Sequence, residues 1–90
     1  YSVSAQIKAL MDRTVARYTE IKNKIMYYII AAADPDLSHM ERTIECFRGF
    51  AYCLEGSVEK GVVYGVGAWN KGEIKALPSM AQAYEMGKNS

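Results

Sequence analysis

Histidine occurs once in this sequence, cysteine and proline twice each, and no run of apolar residues is long. Each shortage excludes something. His39 has no cysteine cluster beside it, so neither a zinc site nor a Ser-His-Asp triad finds its other members, and it reads as a solvated side chain. Cys46 and Cys53 fall in one predicted helix, about 10.5 Å apart along its axis, beyond the reach of a disulfide. They read as two buried thiols in a reducing compartment, because free cysteine packs as a small hydrophobe. The longest apolar run, Ile25 to Ala33, falls well short of the roughly 20 residues a bilayer-spanning helix needs. The amino terminus shows no basic segment followed by an apolar core and a cleavage site. The expectation is no membrane and a cytoplasmic location. An excess of one charge sign is missing too: the net charge is +1 with acidic and basic residues interleaved, which leaves no basic surface for nucleic acid.

What is present is the composition of a globular segment, half apolar and 23% charged, not of a disordered tail. Residues 1–90 are enough for one small domain with a thin core. From Ser4 to about Ile21 the residues Ile7, Leu10, Met11, Thr14, Tyr18 and Ile21 recur at helical spacing, and Ser2 or Ser4 is placed to cap the helix. Ile25 to Ala33 is apolar at consecutive positions and rich in β-branched and aromatic residues, the pattern of a strand covered on both faces. Asp34, Pro35 and Asp36 make a turn. Ser38 with Glu41 has capping-box spacing and predicts the start of a helix, with Met40, Ile44, Phe47, Ala51 and Leu54 buried and Gly56 as the carboxyl-terminal cap. Val62 to Val66 reads as a second strand, and Pro78 begins a last helix of two or three turns carrying Met80, Ala83, Tyr84 and Gly87.

The order α-β-α-β-α implies right-handed crossovers and a parallel sheet. Two parallel strands alone make a poor sheet, so a third neighbour is expected, from a missing amino-terminal part or from another copy of the chain. Since the first residue is Tyr1, the chain is expected to begin in mid-fold. Ligands of open parallel sheets sit outside the carboxyl ends of the strands. Three segments would converge there: Tyr1 to Ser4, Ala32 to Leu37, and Gly65 to Gly72. Such a rim suits a flat aromatic cofactor, with backbone N–H groups at its polar edge and Tyr1 or Trp69 over a face. Gly65-Val66-Gly67 starts a dinucleotide fingerprint that no later glycine completes, and no phosphate loop of the G-x-x-x-x-G-K-[ST] type occurs. Asp34, Asp36 and Glu41 read as turn chemistry and a capped helix rather than as a metal site.

Ser2-Val3-Ser4-Ala5-Gln6-Ile7-Lys8-Ala9-Leu10-Met11-Asp12-Arg13, together with Lys71-Gly72-Glu73-Ile74-Lys75 and Ala83-Tyr84-Glu85-Met86-Gly87-Lys88-Asn89, resembles the flavodoxin-like NADPH-dependent FMN reductases and their iron-sulfur flavoprotein relatives. The likeness runs along nearly the whole chain. It implies the carboxyl-terminal part of a flavodoxin-like three-layer α/β fold, without its first strands and their phosphate-binding loop. By this resemblance Tyr1, Ser2, Val3 and Ser4 would wrap the edge of the flavin ring, chiefly through backbone amides. Ala33 and Asp34 after one strand, and Gly67 to Trp69 after the next, would lie near the flavin or at a subunit contact. Lys8, Asp12 and Arg13 match the motif and are expected to hold their helix against its neighbours.

The activity so implied is that of an FMN-dependent NAD(P)H oxidoreductase of flavin or quinone reductase type, assembled as a homo-oligomer. No catalytic side chain is assigned, and the cysteine motif of the iron-sulfur relatives is absent. Two other readings compete: a non-enzymatic, self-associating α/β module, and an inactive proteolytic fragment.

Overall fold

The computed structural model describes residues 2–90. Ser4 opens the first helix, α1, Ala5–Arg13: its hydroxyl accepts the Ile7 amide at 3.3 Å and so satisfies one donor of the first turn. The helix predicted to reach Ile21 ceases to be α-helical at Arg13. Thr14 donates its hydroxyl to the Met11 carbonyl at 2.7 Å, and Thr14–Glu20 continues as a tighter 3-10 segment kinked at Arg17. The cause is local, since Thr14, Val15 and Thr19 are stiff β-branched residues and a threonine hydroxyl competes for backbone groups.

Strand β1 spans Ile25–Ala32, the consecutive apolar run. A 3-10 turn, Leu37–Met40, leads into helix α2, Glu41–Tyr52. Strand β2, Val58–Val66, begins earlier than the expected Val62. A short 3-10 turn, Glu73–Ala76, precedes helix α3, Pro78–Lys88, which has its proline in the first turn. Among the described residues the result is a mixed α/β unit with three α-helices and a two-stranded parallel sheet, in the expected order. Register runs from Ile25 opposite Val58 to Ala32 opposite Val66, with Lys60 as the extra residue of a bulge beside Met26 and Tyr27. No helix among the described residues is long and apolar enough to cross a membrane.

Side chains alternate along a strand, and the two faces of this sheet are covered differently. Tyr28, Ile30 and Ala32 meet Met40, Ile44 and Phe47, with Val62, Tyr64 and Val66 completing the cluster. Ile44 is fully buried, and the Tyr28 ring stacks on Phe47 with centroids 5.1 Å apart. On the other face β2 comes so close to α3 that a Cβ on Gly61 would lie 2.9 Å from the Met86 sulfur. A side chain at Gly61 would have to displace the flexible end of Met86. Beside β1 no further strand lies among the described residues, and Ile25 and Ile29 are 59% and 62% exposed.

The two thiols are less buried than the sequence led us to expect. Cys46 is half-buried and Cys53 exposed. Cys53 falls just past the end of α2, and both flank a groove of about 390 Å³ between α1 and α2 that Met11, Tyr18 and Phe50 also line. Gly56, at φ +75°, does adopt the left-handed conformation, but it serves the turn after the helix rather than the helix end itself.

Candidate functional site

The carboxyl ends of the two strands are tied together by the Gly67 amide, which donates to the Ala32 carbonyl at 2.9 Å. Gly67 has φ +84° and lies against Pro35, so the loops leaving β1 and β2 touch at one rim. Beside them opens a cavity of about 580 Å³. Ser2, Val3, Ser4 and Ile7 form one wall, the end of β1 from Ile29 to Ala32 another, and Asp34, Met40, Thr43 and Phe47 the rest. Four expected site residues, Ser2, Val3, Ser4 and Asp34, therefore share one cavity. Ala33 is half-buried at the exit of β1 but does not line it.

Gly67 and Trp69 do not line it either. Trp69 is 80% exposed on its own loop. That loop is fastened by Glu73, which accepts the Trp69 amide at 2.9 Å and the Asn70 side-chain amide at 2.7 Å. The same donors, the Trp69 amide first, hold the Glu73 carboxyl below its ordinary range. Tyr1 lies outside the described residues.

The turn after β1 is more organised than a plain Asp-Pro-Asp. The Asp36 amide donates to Asp34 Oδ1 at 2.8 Å, and Ser38 donates both its amide and its hydroxyl to Asp36 Oδ1, at 2.9 and 2.7 Å. These two bonds, the hydroxyl first, lower the Asp36 carboxyl. Ser38 is thus engaged as a donor, and the capping box predicted with Glu41 does not form: α2 grows directly out of the 3-10 turn that Asp36 caps. Glu41 instead accepts the Tyr64 hydroxyl at 2.8 Å.

His39, read as merely solvated, is exposed but bound. Its Nδ1 lies 2.6 Å from Asp34 Oδ2 and its Nε2 lies 3.3 Å from Asp36 Oδ2. An imidazole facing carboxylates through both nitrogens is best satisfied as the imidazolium, which carries two donors. Its pKa is raised accordingly, chiefly by the hydrogen bond to Asp34. The available signal was the spacing Asp34, Asp36, His39, which one turn folds into a cluster.

Two further charged groups prove to be structural. Arg48 reaches from α2 to Glu59 of β2 at 2.9 Å while also holding Glu45 at 2.7 Å, and thereby rivets the helix to the sheet. Lys8 and Asp12 pair with each other at 2.7 Å along α1, at the edge of the groove toward α2.

The cavity's donor set can be tested against the flavin ring that the resemblance implies. Its walls are aliphatic and aromatic, with serine hydroxyls and one carboxylate at the edge, which suits a flat ring with a polar rim. No lysine or arginine lies among the described lining residues. Comparison of the chain with family models, with curated proteins and with solved structures gives no match. The functional reading therefore rests on the residues and their arrangement.

Proposed function

We propose that this chain is the carboxyl-terminal part of a flavodoxin-like, FMN-dependent NAD(P)H oxidoreductase of flavin or quinone reductase type, working in the cytoplasm. The observation that carries the reading is the meeting of Ser2, Val3, Ser4 and Asp34 around one cavity at the carboxyl end of a parallel sheet, the position where such sheets bind ligands. When bound, FMN would supply hydride acceptance from the nicotinamide and onward transfer to a quinone or free flavin. Val3, Ile7 and the Ala31–Ala32 end of β1 would exclude water from the ring, and the segment Ser2 to Ser4 would orient its polar edge. Phosphate contacts and a neighbour for the open edge of β1 would come from residues preceding Tyr1 or from a second copy.

The test is expression together with the coding sequence upstream of Tyr1, followed by measurement of flavin absorbance and NADPH-dependent reduction of a quinone. A colourless, inert product would refute the reading. A second reading, a self-associating module without cofactor, is favoured by Ile25 and Ile29 lying exposed along β1. It predicts a defined oligomer with no bound flavin, which light scattering resolves and which Ile29→Lys would dissociate.

A further inference from the structure

The Asp34–His39 pair joins the cavity to solvent. Asp34 lines the cavity with a side chain only 23% exposed, while His39, 2.6 Å away, is 51% exposed on the outer surface of the turn. One end of the pair lines the half-open cavity and the other lies on the outer surface. Asp36 holds the second ring nitrogen at 3.3 Å, which fixes the imidazole in place. Arg42 opposes the two aspartates at the ring.

We propose that Asp34 and His39 form a proton relay that serves the molecule reduced in the cavity. The proposal rests on the reductase reading and names its substrate class as two-electron acceptors whose reduction also consumes a proton, such as quinones. Reduction of a quinone by a nicotinamide dinucleotide transfers a hydride, two electrons and one hydrogen, and leaves a hydroquinone monoanion. One proton completes the product. The anion takes it from Asp34 as Asp34 receives the Nδ1 proton of His39, and water reprotonates the imidazole. Such a path matters because proton transfer by a positioned group is worth roughly 100-fold or more in rate. The direction of the His39 pKa, raised chiefly by the hydrogen bond to Asp34, agrees with this role.

The pair is tested first on the chain as it stands, by NMR titration of the His39 ring. The expected result is a pKa above the ordinary histidine value that falls in Asp34→Asn; a ring that titrates normally and ignores that substitution overturns the relay whatever the cofactor. The second measurement uses the flavin-loaded protein made from its own gene, turned over with benzoquinone and with ferricyanide, which takes electrons but no proton. His39→Gln is expected to lower the quinone-to-ferricyanide turnover ratio about tenfold, at the low end of such effects, and to remove an ionisation from the pH profile with quinone. Equal loss on both acceptors, with flavin still bound, overturns the relay and leaves the reductase reading standing. A product that binds no flavin removes that reading and the relay with it.

Discussion

Helices α1 and α2 carry the same kind of apolar stripe and meet different fates. In α2 Ile44 is wholly buried, and Met40 just before the helix is 4% exposed, whereas α1 buries no residue and leaves Leu10 60% exposed. The difference lies in what each stripe faces. The α2 stripe lies across both strands and closes over Tyr28, Ile30 and Val62. The α1 stripe has the flank of α2 on one side and, on the other, the region beside β1 where no further strand lies among the described residues. Amphipathicity states that a helix needs cover; the neighbours decide whether it receives any.

The largest effect should come from breaking the covered side. Ile44→Ala leaves a cavity in the covered cluster and should cost about 2–5 kcal/mol, read from the urea midpoint. A chain this small has little to spare, so outright unfolding is an acceptable form of the same result. Gly56→Ala should come next, at about 1–2 kcal/mol, because a side chain there must enter the left-handed region. The new methyl would also strike the Asn23 side chain. An unchanged midpoint would show that the turn between α2 and β2 adapts more easily than the covered face beside it.

Acid should loosen the covered side as well. Arg48 lowers the Glu59 carboxyl, so the stability this pair contributes is present above the ordinary glutamate value of 4.5 and is lost as pH falls through the lower, folded value. His39 behaves in the opposite sense. Its raised pKa means that its contribution is present below the ordinary value of 6.5 and disappears as pH rises through the folded value. Thermal melts of Arg48→Met should lose the acid-side slope, and those of Asp34→Asn the alkaline-side one. The smallest effect belongs to α1: Leu10→Ala should stay within about 0.5 kcal/mol in this chain. A cost matching that of Ile44→Ala would break the comparison. A cost that appears only when upstream residues are present would sharpen it, by showing what covers the stripe.

Much of this arrangement was legible in the residues. The unbroken apolar run of β1, the stripe of Met40, Ile44 and Leu54, and Pro78 at the head of α3 each state a local preference that the fold leaves in place. Reading went astray where two local groups compete. Ser38 matched the capping-box pattern, but Asp36 lies two residues earlier and captures both of its donors. Thr14 matched the helical period, yet its hydroxyl turns to the backbone. Of the site, the approach of Ser2, Val3 and Ser4 to the end of β1 was foreseen by way of strand polarity and resemblance. The engagement of His39 was not, because periodicity says nothing about which side chains a turn brings within 3 Å.

The sequence by itself determined the order of elements, the parallel sense of the strands and the Met40–Ile44 stripe of the main cluster, since these follow from hydrophobic period and from the length of the connections, whereas which residues of β1 are covered did not. Only the tertiary structure decided that Asp34 faces a cavity while its partner His39 faces water, and that Trp69 stands apart from both. It also decided that the two thiols flank a groove instead of filling a core. The physical reason is the same in each case: burial and pairing are properties of neighbours distant in sequence, and a residue's own chemistry does not specify which neighbours it will have.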